Sequence, residues 1–313
     1  MELWNSSLGS SFILMGNPND SGSPELLCAI NAVLYMLALT SNGLLLLAIT
    51  MDVRLHVPMY LLLSQLSLTD LLFTSVVTPK ALVDFLHQEN TISFGGCALQ
   101  MFLALTLGST EDLLLALMAY DRYVAICHPL NYMVLMKPRV IWLMVVNIRI
   151  LASLSSLGHT LYTMHPFCMS REIRHLLCEI PPLLKLTCAD TSRYELMVYV
   201  RGVNYLLLPF SVIVASYVLI LFTVFHMSSN EGRQKALVIC SSHLTVVGMF
   251  YGTATFMYVL PSSFHSRKQD IISVFYTIVT PALNPLIYSL RNEVMGALRR
   301  ALGNFVSCEH REL

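Results

Sequence analysis

Several charged residues of this chain stand inside or at the edge of apolar sequence, where each must have a chemical use or a partner. Asp121 and Arg122 follow the nearly unbroken apolar run Phe102 to Leu117. An arginine placed there can pair with the neighbouring carboxylate in one state and be released to a partner protein in another, an exchange that is cheap only at a membrane boundary. Asp70 and Glu111 lie within apolar stretches, where an ionised carboxylate is costly. Their oxygens suit a hard cation such as sodium, and a protonated carboxyl held in a hydrogen-bond network is the alternative. His175, Cys178 and Glu179 are close enough to suggest a soft-metal site, unless Cys178 is spent in a disulfide. No metal-binding helix motif, phosphate loop or nucleophile elbow occurs, so nothing here points to an enzyme.

The elements that must position these residues follow from hydropathy. The 313 residues are 55% hydrophobic and 12% charged, whereas a soluble domain carries about a quarter charged residues. Apolar runs of about 20 residues, the length that crosses a hydrocarbon core, occur seven times: Leu26 to Ile49, Met59 to Phe85, Ala98 to Cys127, Val140 to Tyr162, Met197 to Phe225, Ala236 to Leu260 and Ile271 to Leu290. The fold class expected is an all-α membrane protein, a seven-transmembrane helix bundle with a short amphipathic C-terminal helix in Glu293 to Asn304. Its parts are an extracellular N-terminus over 1–25, the seven-helix bundle over 26–290 and a cytoplasmic tail over 291–313.

An odd number of spans puts the termini on opposite sides. Arg54, Lys137, Arg139, Arg233, Lys235, Arg291, Arg299, Arg300 and Arg311 fall in one set of connectors and the tail, which the positive-inside rule places in the cytosol. Arg171, Arg174, Lys185 and Arg193 in the connector Thr163 to Glu195 blunt that bias. Sequons at Asn5 and Asn19 favour an outer N-terminus and are the candidate glycosylation sites. The formal net charge is zero, so no global field argues for nucleic acid. Of eight cysteines, Cys97, Cys168, Cys178 and Cys188 lie on the inferred outer side, where disulfides persist. Their spacing leaves three pairings open.

The segment Met118 to Tyr132, MAYDRYVAICHPLNY, resembles the olfactory receptors, a branch of the rhodopsin-like G-protein-coupled receptors. Further matches run in order along nearly the whole chain: Asn42-Gly43, LHVPMYLLLSQLSLTDL from Leu55, Pro79-Lys80, Ser216-Tyr217, CSSHL from Cys240, Phe250-Tyr251-Gly252 and PALNPLIYSLRN from Pro281. The resemblance implies a plasma-membrane receptor for a small odorant, coupled through a stimulatory olfactory-type heterotrimeric G protein to cyclic AMP. It implies a Cys97–Cys178 disulfide and a Cys168–Cys188 disulfide within the long loop. It gives Asp121, Arg122, Tyr123, Tyr217, Lys235, His243, Asn284, Pro285 and Tyr288 to coupling and switching, and Asp70 and Glu111, with Asn284, to a sodium ion. Proline at 285 breaks one backbone hydrogen bond and allows a kink.

Counting along the matched helices places Ala104, Leu105, Gly108, Ser109, Arg201, Tyr205, Tyr251, Thr255 and Tyr258 around a pocket in the outer half of the bundle. Such a mostly apolar lining suits a small hydrophobic volatile held by one or two hydrogen bonds. Arg201 either meets an acceptor on the ligand or snorkels to the headgroups. Asp112 points about 100° away from Glu111 and receives no role. Arg149 falls at or beside a place where the family usually has tryptophan. Left unpaired, it costs at least ~3 kcal/mol on insertion scales. Other classes weighed are a rhodopsin-like receptor for a non-volatile metabolite or peptide, and a transporter or channel, for which repeated halves and broken midplane helices are missing.

Overall fold

The computed structural model describes residues 11–14, 24–87, 90–164, 172–173, 177–180, 183, 186, 196, 199–259, 275–289, 296 and 300. Within them run α1 (Pro24–Met51), α2 (Pro58–His87), α3 (Phe94–Cys127), the short α4 (Pro129–Leu135), α5 (Pro138–Thr163), α6 (Leu208–Phe225), α7 (Asn230–Val259) and α8 (Thr280–Ser289). Four of these open on proline, whose fixed φ suits the first turn and whose missing N–H would be unpaired there anyway. Ser93 caps α3 by accepting from the Gly96 N–H at 3.0 Å.

Six helical segments among the described residues are long and apolar enough to cross a membrane, and 275–289 supplies the seventh helix of the bundle. Large apolar side chains such as Leu143, Ile150, Leu154, Phe222 and Phe225 are exposed on α5 and α6. In water this would be a defect; against lipid it is the ordinary finish of a helix face. α3 is the central helix, packed on α2, α5 and α6. Its deep residues Leu114, Leu115, Met118 and Ala119 are almost fully buried among residues of the other helices.

Two features depart from regular helix. The last five residues before α6, Val203–Leu207, and those before α8, Phe275–Val279, are π-helical. Pro209 follows the first, and its absent N–H cannot bond the carbonyl of Tyr205, which favours such local widening.

A small sheet, not foreseen in an all-α reading, covers one end. β1 (Ser11–Leu14) lies between β2 (Thr91–Ser93), to which it is antiparallel with Phe12 opposite Ile92, and β3 (Glu172–Ile173), to which it is parallel. Phe12 and Leu14 point inward and build a second core with Ile92, Met101, Ile173 and Ile180. The Cys97–Cys178 disulfide, with a Cα–Cα distance of 5.4 Å, sits in that core. Cys168, Cys188, Asn5 and Asn19 lie outside the described residues.

The expected unpaired arginine is corrected here. Arg149 on α5 donates from Nη2 to Gln65 Oε1 of α2 at 2.9 Å, so the charge has an acceptor within the bundle.

Candidate ligand and coupling sites

At the end of the bundle away from the sheet, Asp121 and Arg122 form an ion pair at 2.8 Å, with the Asp121 side chain fully buried. The chain breaks helix at His128 and restarts as α4 on Pro129, and this turn carries Tyr132 back to α3. Tyr132 donates its hydroxyl to the second Asp121 oxygen at 2.9 Å. Burial and the Asp121 charge push the Tyr132 hydroxyl well above its usual titration range, so it remains a donor. Tyr123 faces the other way, hydrogen-bonded at 3.0 Å to His128 Nε2.

Arg122 also lines a small cavity with Met59, Leu63, Met118, Ile239, His243 and Tyr288. Tyr217 shares a 2.7 Å hydrogen bond with His243 Nδ1 across the α6–α7 contact. Lys235 is exposed and pairs with Glu231 one turn earlier at 2.7 Å, apart from the cavity.

Deeper in the bundle, Asn284 of α8 donates to Asp70 of α2 at 3.0 Å and meets Glu111 of α3 through its side chain. All three are almost completely buried. One oxygen each of Asp70, Glu111 and Asn284 has no hydrogen-bond partner among the described residues. That set of bare oxygens, with no nitrogen or sulfur, fits a hard cation. No cluster of three or more His, Cys, Asp or Glu suited to a metal occurs among the described residues. Pro285, the next residue along α8, leaves the Pro281 carbonyl without its helical donor, and Asn42 of α1 supplies one at 2.9 Å.

Toward the sheet, Arg201 turns inward across the bundle. Its guanidinium donates to Ser109 Oγ at 2.6 Å, the Leu105 carbonyl at 3.1 Å, Ser155 Oγ at 3.2 Å and Ser156 Oγ at 3.4 Å. It also stacks over the Tyr205 ring at 5.1 Å. The snorkelling course is therefore not the one taken: Arg201 joins α3 to α5. Tyr205 donates to the Leu151 carbonyl at 3.2 Å. Ala104, Leu105 and Gly108 are half-buried on α3. Tyr251 is buried against Phe210, with ring centroids 4.9 Å apart, and donates its hydroxyl to Asp112. Thr255, one turn further along α7, is exposed. The side chain of Tyr258 lies outside the described residues.

Asp112 is the residue the sequence reading passed over. Its signal was present: Asp112 is three residues from Ser109, four from Gly108 and seven from Leu105, the spacing of one helix face.

A family model described as "Olfactory receptor" matches residues 31–304. The chain belongs to the olfactory receptor family. It is 78% identical to human "Olfactory receptor 2AG2" and 76% identical to human "Olfactory receptor 2AG1", in each case over the full length of both chains. Identity to human "Olfactory receptor 2T1" is 54%, over 97% of this chain and 83% of that one. As an olfactory receptor it is a multi-pass membrane protein of the rhodopsin-like G-protein-coupled class, a receptor for odorants and not an enzyme. In this olfactory receptor the Asp121–Arg122–Tyr132 cluster lies at the end of the bundle away from the sheet, the Arg201 cluster lies toward the disulfide, and Asp112 lies between them near the middle of α3.

Proposed function

We propose that this receptor binds a small, mostly apolar volatile between α3, α6 and α7 beneath the sheet, and answers by activating a stimulatory olfactory-type G protein that raises cyclic AMP. The observation that carries the coupling half of this reading is the closed cluster at the opposite end. Arg122 is held by Asp121, Asp121 is held by Tyr132, and the cavity beside Arg122 is walled by His243 and Tyr288. Ligand that favours a separated arrangement of α3 and α7 shifts a pre-existing equilibrium and releases Arg122 to the partner. Lys235, exposed on the same end of α7 and paired with Glu231, stands on the side that the partner would meet.

The sheet end then faces outside, with glycans on Asn5 and Asn19 and a second disulfide between Cys168 and Cys188, and the tail lies on the plasma membrane's inner lipids. Asp70, Glu111 and Asn284 would hold a sodium ion, which supplies the positive charge that two adjacent buried carboxylates call for.

The test is a cyclic AMP reporter over a diverse panel of volatiles, with surface receptor measured in parallel. At least one volatile should evoke a response that Arg122→Ala abolishes while surface levels hold. A response preserved in Arg122→Ala would sink the coupling mechanism. In isolated membranes, replacing sodium by choline should raise basal activity of the natural receptor but not of Asp70→Asn; equal effects on both would remove the ion.

A further inference from the structure

Asp112 sits on the ligand-facing side of α3, one turn deeper than Gly108 and Ser109, and is 2% exposed. Its carboxyl joins α3 to α7, because one oxygen accepts the hydroxyl of Tyr251. The other oxygen, Oδ2, is fully buried and takes no hydrogen bond among the described residues. Folding has therefore placed a bare acceptor at the floor of the proposed pocket, in surroundings supplied by the apolar rings of Phe210 and Phe250 beside Tyr251. One and two turns above, the acceptors on the same face, Ser109 Oγ and the Leu105 carbonyl, are already occupied by Arg201.

What completes a buried acceptor is a donor. With Asp112 as the carboxylate, an ether, an ester or a hydrocarbon brought to Oδ2 leaves it as bare as before, whereas a hydroxyl satisfies it and itself at once. Sites of this kind discriminate strongly against analogues lacking the donor, because the protein group is then left unpaired. Resting on the odorant reading given above, the geometry points to Asp112 as the polar anchor of the pocket, which selects odorants carrying a hydroxyl or other hydrogen-bond donor over shape-matched ligands without one. The bound donor lies where α3 meets α7, the two helices whose other ends carry Arg122 and His243. Occupancy of Oδ2 thus bears directly on the contact that must change for coupling.

The experiment uses the full-length receptor and matched volatile pairs, each an alcohol or phenol against its methyl ether, read as half-maximal concentrations for cyclic AMP with surface level measured alongside. In the natural receptor the hydroxyl member should be more potent by at least about tenfold. Asp112→Asn, whose amide can both donate and accept, should narrow that gap to within about threefold. Tyr251→Phe leaves both carboxyl oxygens open to the ligand and should keep or widen the gap. Equal potency within pairs in the natural receptor, or an intact gap in surface-expressed Asp112→Asn, overturns the assignment. Should Asp112→Asn not reach the surface, Tyr251→Phe decides: a gap kept or widened supports the assignment, and a gap lost overturns it. Silence toward every volatile from natural receptor at the surface overturns the odorant reading itself, and this assignment with it.

Discussion

A guanidinium inside a membrane helix is stable to the extent that acceptors reach it, and Arg149 and Arg201 meet that demand differently. Arg201 gathers three serine hydroxyls and a carbonyl, all neutral, from α3 and α5. Arg149 depends on the single oxygen of Gln65, while its Nε is buried without a partner among the described residues. Hydrogen bonds to charged groups contribute about 1.5–3 kcal/mol, and breaking a buried charged pair costs more than replacing both members. Gln65→Leu should therefore lower the thermal stability of detergent-solubilised receptor by about 2 kcal/mol, and Arg149→Leu by less. The double variant should recover most of the Gln65→Leu loss. Strictly additive effects would show that the pair carries no coupling. Arg149 was legible in sequence as a misplaced charge, but its acceptor was not, because no pattern along α5 reports which side chain of α2 lies across from it. Asp112 was missed for another reason: its direction was judged against Glu111 beside it, whereas the useful comparison was with Gly108 and Ser109 one turn away.

At the scale of elements, the apolar runs predict the helices well because a membrane forces nearly every backbone group into intrahelical bonds. The third run starts at Ala98 by hydropathy and at Phe94 by structure, since the Ser93 cap starts α3 ahead of the two glycines that interrupt the apolar run. The sixth begins six residues early, at Asn230, for the similar reason that polar residues outside the hydrocarbon still continue a helix. The sheet could not be read this way: the alternation in Ser11–Leu14 is four residues long, and its register is set by strands far along the chain. Pro285 was legible as a break in α8, yet what answers the break, Asn42 on α1, is a tertiary fact. The two residues should behave as one unit. Asn42→Ala leaves the Pro281 carbonyl without a donor and should cost about 1–2 kcal/mol. In a Pro285→Ala background the restored N–H at 285 bonds that carbonyl within α8, so the same Asn42→Ala change should cost less than about half as much. Equal costs in both backgrounds, measured as thermal stability, would show that Asn42 does not serve the proline break.

At the scale of the molecule, each end of the bundle is closed by contacts between residues distant in sequence. The sheet and the Cys97–Cys178 bond join three separate segments at one end. At the other, Arg300 of the tail places both Nε and Nη2 on one oxygen of Asp52, at 3.0 and 2.6 Å, while the second Asp52 oxygen caps the short turn Val53–Leu55 by accepting from the Arg54 N–H. The tail is thereby fastened beside α1, next to the end where Arg122 is held. The Arg300 hydrogen bond, helped by that of the Arg54 backbone, holds the Asp52 carboxyl below its ordinary value. A depressed carboxylate contributes its stabilisation above its unfolded value, about 3.9, and loses it only as pH falls through the lower folded value. Docking of the tail should thus be independent of pH from 8 down to 5. A fluorophore on the tail, read by energy transfer to a label in the loop that follows α1, should report constant proximity over that range. Asp52→Asn removes the charge at every pH and should release the tail already at pH 7, with Arg300→Gln doing the same. Release of the natural tail with a midpoint above pH 5 would mean that some other group, and not Asp52, governs the closure.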